Sequence, residues 1–270
     1  AAYGDATELV KHMLEWARLP TFRPTLTAAR WLRDAPPTRK WRPQLLSALA
    51  DLLQKSRLPL ALRGQAVAAL ATCNDPAVGV LFRRLIGADE PEIMQLAALG
   101  AGAVNDRKSL PGLKGALLSS QIAARRAACL SLVALNSNEA LEVVAHALLR
   151  GDDDLRRSAA EALANEPGEG HAMLKDGATM DDIPLRRAVA YGLGRIREAW
   201  ATQLLEKMRL EDDQWIVRNA ASEMIEARSR AVDPRTPRPL TPASQTPWLI
   251  RFAGTQGVGI SPGAPATSVL

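Results

Sequence analysis

Cysteine is nearly absent from this chain: two residues in 270, Cys73 and Cys129. Two thiols build no disulfide framework, so nothing argues for an oxidising compartment, and each is expected to serve as a small buried apolar group. Aromatic residues are equally scarce at 4%. No stretch alternates apolar with polar residues over several positions, which removes the signal for β-strands. Histidine occurs three times, at His12, His146 and His171. None stands at the two-His helical spacing of a zinc hydrolase, and no Ser/His/Asp or Cys/His arrangement follows from spacing. No run of 18 apolar residues and no signal peptide is present. The segment Gly254-Thr255-Gln256-Gly257-Val258-Gly259 lacks the Lys-Ser/Thr of a phosphate loop and a preceding strand, and reads as a linker. The sequence therefore offers no metal site, no cofactor site and no catalytic constellation, and the expected compartment is the cytoplasm.

Charge of one sign is missing where a nucleic-acid groove would need it. The chain carries a net +5, but residues 1–60 hold ten Lys/Arg against five Asp/Glu, whereas residues 61–230 hold 21 against 23. Residues 231–270 hold three against one. A duplex-binding groove must be basic over many phosphates. The near-neutral central region predicts no nucleic-acid partner, unless helix geometry segregates its charges.

What the chain does have is self-similarity. Six segments begin at Leu62 (LRGQAVAAL), Ile93, Ala124, Leu155, Leu185 and Ile216, spaced by 31, 31, 31, 30 and 31 residues. Four places into each stand Ala66, Ala97, Ala128, Ala159, Val189 and Ala220; eight places in stand Leu70, Ala101, Leu132, Leu163, Leu193 and Met224. Such a period marks stacked supersecondary units, none able to bury its apolar face alone. In the fourth unit Leu155, Ala159, Ala162 and Leu163 share one helical face while Arg156, Arg157 and Glu161 fall elsewhere. A second apolar run follows a short polar break, as with Leu141, Val144, Ala145, Leu148 and Leu149 after Asn136-Ser137-Asn138-Glu139. Two helices of about twelve residues plus two turns fill a period of this length, so each unit is a helical hairpin. The small Ala positions let neighbouring helices approach closely. Acidic pairs Asp89-Glu90, Asp152-Asp153-Asp154, Asp181-Asp182 and Asp212-Asp213 precede the first helices. Their recurrence at unit boundaries predicts capping of free backbone N–H groups rather than metal or acid–base chemistry.

The phrases Leu155-Arg156-Arg157-Ser158-Ala159-Ala160-Glu161-Ala162-Leu163, Leu185-Arg186-Arg187-Ala188-Val189-Ala190 and Val217-Arg218-Asn219-Ala220-Ala221 resemble the HEAT family, in the short variety of phycobilin-lyase-like repeat proteins. The resemblance covers about residues 62–227. It departs at Ile93-Met94-Gln95, where the usual Arg is missing, and at Glu166-Pro167-Gly168-Glu169-Gly170, where the second helix looks shortened. It implies an all-α, right-handed α-solenoid of stacked antiparallel helical hairpins that acts as an interaction scaffold. A chromophore-lyase-like role and a HEAT-like alkylpurine glycosylase are the alternatives it brings. The glycosylase needs aromatics and an acid facing a basic groove, whereas Trp16, Trp31, Trp41, Trp200, Trp215 and Trp248 occupy scattered unit positions. Trp215 is expected to cover a joint between units. The His-Glu dipeptides of HEAT-like deoxyhypusine hydroxylases are absent.

The organisation expected is capping helices or a divergent first repeat over 1–60, the array over 61–230, a Pro-rich spacer over 231–247 and an extension over 248–270. Residues 1–60 predict helices at about 5–18, 25–33 and 42–55, punctuated by prolines. The spacer holds Pro234, Pro237, Pro239, Pro242 and Pro247. The extension reads as the start of a further repeat in a longer parent protein. For function, the resemblance places the second helices on the concave face, and spacing then selects Arg83, Arg84, Lys114, His146, Arg150, Lys175 and Lys207 as the solvent positions. Together they predict a mildly basic stripe that captures another, acidic protein.

Overall fold

The computed structural model describes residues 6–15 and 22–231. Every regular element among them is helical. Three helices come first: α1 (Thr7–Glu15), α2 (Arg23–Ala29) and α3 (Arg42–Gln54). Hairpins follow in sequential order: α4 (Leu60–Thr72) with α5 (Pro76–Ile86), α6 (Pro91–Ala103) with α7 (Leu110–Ala116), and α8 (Ile122–Leu135) with α9 (Asn138–Arg150). Then come α10 (Asp153–Leu163) with α11 (Glu169–Gly177), α12 (Ile183–Leu193) with α13 (Ala199–Glu211), and α14 (Trp215–Ala231). The spacer and extension expected beyond 231 lie outside the described residues, apart from Ala231.

Turn chemistry explains why the hairpins close alike. Asn74, Asn105 and Asn136, 31 residues apart, each adopt positive φ after a first helix. Asparagine tolerates this left-handed geometry, which ends a helix and exposes its carbonyls to new partners. Proline then stands in the first turn of α5, α6 and α12, where no backbone donor is lost. Asp75 and Ser137 cap α5 and α9 by accepting from Ala77 N at 3.0 Å and Ala140 N at 3.3 Å.

The repeated apolar positions form one continuous core. Ala66, Ala97, Ala128, Ala159, Val189 and Ala220 are all buried, as are Leu70, Ala101, Leu132, Leu163, Leu193 and Met224. The first helices α4, α6, α8, α10, α12 and α14 each pack directly on the next, and α2 packs on α4 in the same manner. Successive second helices barely touch. Small residues cause this asymmetry: a Cβ on Gly192 in α12 would lie 2.6 Å from Ala160 O in α10. Ser131 Oγ in α8 donates to Ala98 O in α6 at 2.8 Å. The first helices therefore form the closer-packed of the two layers. The physical reason is side-chain size, because Ala, Gly and Ser in the first helices permit an approach that Leu and Phe in the second helices do not.

Other expectations need adjustment. α11 is short, at nine residues, as its Gly-rich start predicted, but α7 is shorter still at seven. Pro111 and Gly112 at its start and Gly115 near its end weaken that helix. Leu118, just past the end of that helix, is 87% exposed. Trp215 opens α14 and is 68% exposed, so it does not cover a joint. Cys73 and Cys129 are buried free thiols, and burial pushes the Cys129 thiol up to about 12.

Candidate docking surface

The recurring Arg at the start of the first helices stitches neighbouring units together. Arg63 donates to Leu53 O at the end of α3 and pairs with Glu90 and Glu92 at the start of α6. Arg125 pairs with Asp152 at 2.5 Å, one unit on. Arg156 donates to Leu149 O and Gly151 O at the end of α9, and pairs with Asp182 at 2.8 Å. Arg186 donates to Met180 O and pairs with Asp212 at 2.8 Å and with Asp213. Arg218 ends the series on the carbonyls of Asp212 and Asp213. Asp152 and Asp182 also cap their own helices through Leu155 N and Leu185 N. The acidic clusters therefore do what recurrence predicted and hold the next unit as well; Glu90 is the exception, making no side-chain cap.

Electrostatics follow from these contacts. Backbone donation from Leu155 and the Arg125 guanidinium hold the Asp152 carboxyl below its ordinary range. Burial works the other way at Asp182 and Asp212, but helix-start amides with Arg156 and Arg186 respectively outweigh it, so both also titrate low. One joint lacks the rung: Met94 replaces the Arg in α6, and Ser119-Ser120-Gln121 before α8 offers no acid. There the close contact of α6 and α8 substitutes for the ion pair.

Over that joint opens a cleft of about 830 Å³. It is lined by apolar Leu58, Leu60, Leu99, Ile122, Ala127 and Leu130 and by polar groups that include Arg57, Glu92, Gln95 and Arg126. Ile122 is 50% exposed. Beside the cleft, Glu161 in α10 is 5% exposed and receives three guanidiniums: Arg195 at 2.9 Å, Arg126 at 3.0 Å and Arg157 at 3.1 Å. Burial alone would raise the Glu161 carboxyl, but Arg195 and Arg126 overcome it and hold it ionised. Burial lowers Arg195, 1% exposed, to about 10. Arg157 also lies 3.8 Å over the Tyr191 ring, whose hydroxyl donates to Glu223. The first-helix layer thus carries a polar line running across α8, α10, α12 and α14.

The seven sequence-selected residues all fall on second helices, and they do not converge. Arg83 pairs with Asp106 at 2.5 Å, and Lys114 with Glu139 at 3.2 Å. Lys175 lies 4.2 Å from the Trp200 ring centroid, beside buried His171, whose Nε2 is 3.1 Å from Ala164 O. Arg84, His146, Arg150 and Lys207 are exposed. Sequence reasoning missed both the ladder and the Glu161 cluster. The ladder had a signal, the offset of 26 or 27 between each Arg and its acid in three rungs. Glu161 had a weaker one, an acid where other units place Ala68, Leu99, Leu130 and Tyr191.

Among the described residues no group of three or more His, Cys, Asp or Glu side chains converges to hold a metal ion. No helix among them is long and apolar enough to cross a membrane.

Comparison with known proteins gives a family match over part of the chain: residues 80–164 match the family described as HEAT repeats. No protein of curated function matches. Among solved structures the chain is similar to YibA of E. coli, at 13% identity over 81% of each chain with a TM-score of 0.44. It is similar to the CpcE–CpcF complex of phycocyanin lyase from Nostoc sp. PCC7120, at 18% identity over 83% of this chain and 97% of that one, with a TM-score of 0.44. Human deoxyhypusine hydroxylase in complex with glycerol follows at 17% identity, 82% and 96% coverage and a TM-score of 0.33.

Proposed function

We propose that the protein is a non-catalytic scaffold that docks another protein on its first-helix surface, since residues 80–164 match HEAT repeats within an unbroken stack of helical hairpins. The observation that carries this reading is the open cleft over α4, α6 and α8, whose apolar lining leaves Ile122 exposed and Leu58 and Leu60 half-buried at the joint that lacks an Arg–acid rung. Binding sites combine an apolar floor with a few convergent polar groups, and the cleft has both. The buried cysteines support the same reading, since burial raises both thiols, Cys129 to about 12, and a thiol held up in this way is a poor nucleophile near neutrality. The exposed second-helix residues Arg84, His146, Arg150 and Lys207 then serve chiefly as solubilising polar groups.

Photo-crosslinking in the native cells tests the choice of face. A benzoylphenylalanine replacing Gln95 in the cleft should give discrete protein adducts, while the same group replacing Arg150 on α9 should give few. Adducts from position 150 alone, or from neither position, overturn the proposal.

A further inference from the structure

Large apolar side chains that face water are few on this protein, and they are not scattered. Among the described residues nine are exposed, and seven of them stand at or beside the turns that join one hairpin to the next. One of the seven, Ile122, belongs to the cleft. At the following joint α10 opens on Asp153, so the apolar surface is interrupted there. It resumes over the last two joints. Met180 and Ile183 stand at the start of α12, and Leu210 and Trp215, 66% and 68% exposed, at the end of α13 and the start of α14. Arg186 ties the two pairs together: it donates to Met180 O at 3.0 Å on one side and pairs with Asp212 and Asp213 at 2.8 Å on the other. Two apolar spots therefore flank one ion cluster, about 8–10 Å apart, the spacing of packed helices. Toward water the surroundings are acidic. Asp181, Asp182, Glu211, Asp212 and Asp213 stand there against Arg156, Arg186 and Arg218, while Arg187 is engaged by Asp153 and Arg209 by Glu206. Asp181 and Asp213 project into solvent, whereas Arg156 and Arg186 are sunk, at 14% and 10% exposed. A carboxylate paired on one side keeps acceptor sites for a second cation.

We infer that these two joints form a second docking site, separate from the cleft, for an extended segment of a partner protein that carries large apolar side chains at every third position and Lys or Arg between them. Extended backbone advances about 3.1–3.3 Å per residue, so three residues cover the step from one apolar spot to the other. A helical segment needs an unbroken apolar stripe and would lay it across the Arg186 ion cluster. The intervening cations meet Asp181 and Asp213, which repel an acidic segment.

Fluorescence anisotropy with the full chain tests this, using three labelled nonapeptides. One is three Leu-Lys-Pro triplets, one is three Leu-Glu-Pro triplets, and one has the composition of the first with its three Leu adjacent. The Leu-Lys-Pro peptide should bind about tenfold more tightly than either control, a difference of about 1.4 kcal/mol. Ile183→Ser and Leu210→Ser should each weaken it about tenfold, and Asp181→Asn about threefold, the scale of an exposed ion pair. Val80→Ser, at an exposed apolar residue of α5, should leave it unchanged. These positions are open to solvent, and Asp182 rather than Asp181 caps α12, so the fold is not at stake. Equal binding of either control peptide, or indifference to Ile183→Ser and Leu210→Ser, overturns the inference. A benzoylphenylalanine replacing Leu210 that, in the purified protein, crosslinks to its own chain or to a second copy also overturns it, because the site is then already filled. Loss of adducts at position 95 with the triplet peptide still bound removes the cleft reading and leaves this site standing.

Discussion

Single residues decide how closely the first helices approach. Gly192 faces a backbone oxygen, Ala160 O, which has no freedom to retreat. Gly192→Ala should therefore destabilise the protein by about 2 kcal/mol, the scale of core overpacking. Gly115, in α7, has nothing within 4 Å of a new Cβ, so Gly115→Ala should stabilise by about 0.5–1 kcal/mol through helix propensity. Urea denaturation of the two variants should shift the midpoint in opposite directions. At this scale the sequence was largely legible. Each of the twelve residues picked at the fourth and eighth places of the units is buried, because a 31-residue period and helical spacing fix which side chain points inward. Glu161 was not legible, since its partners Arg126 and Arg195 come from neighbouring units and only folding brings them together.

The ladder belongs to the scale of elements. Removing the Arg156 side chain strips Leu149 O and Gly151 O of a donor and leaves Asp182 without its cation. Arg156→Ala should cost about 2 kcal/mol, in the range of hydrogen bonds to charged groups. The pH dependence follows from Asp152, Asp182 and Asp212, whose carboxyls are held low in the folded state. A depressed carboxyl contributes stability above its unfolded pKa of about 4 and loses it as pH falls through the lower folded value. Thermal melts should show the wild type losing more stability than Asp182→Asn between about pH 4 and pH 2, with the two curves converging at the acid end. The unit boundaries were visible in the sequence as Asn and acidic positions. Which helix layer packs more closely was not, because burial periodicity identifies the core face of each helix without giving the distance between neighbouring helices. The small residues of the first helices held that information, but it becomes readable only once the two layers are compared.

A stack of repeats answers damage differently at its middle and at its end. Stability in such arrays is a sum of units and nearest-neighbour interfaces. Ala128 in α8 and Ala220 in α14 are equivalent in sequence and equally buried, yet α8 packs between α6 and α10 while, among the described residues, α14 has α12 alone in its layer. Ala128→Asp buries an unpartnered charge at the centre and should split denaturant unfolding into two transitions. Ala220→Asp should fray α14 and leave one main transition. Two transitions for both variants, or one for both, would show that the array does not couple through neighbours alone.

The account stands on the first helices forming the close-packed layer, the one proposed to dock a partner. Native-state hydrogen exchange read by mass spectrometry tests that layer directly. Amides of α6, α8, α10 and α12 should exchange slowest, with α7, α9 and α11 opening at distinctly lower free energy. Second helices protected as well as or better than the first would contradict it.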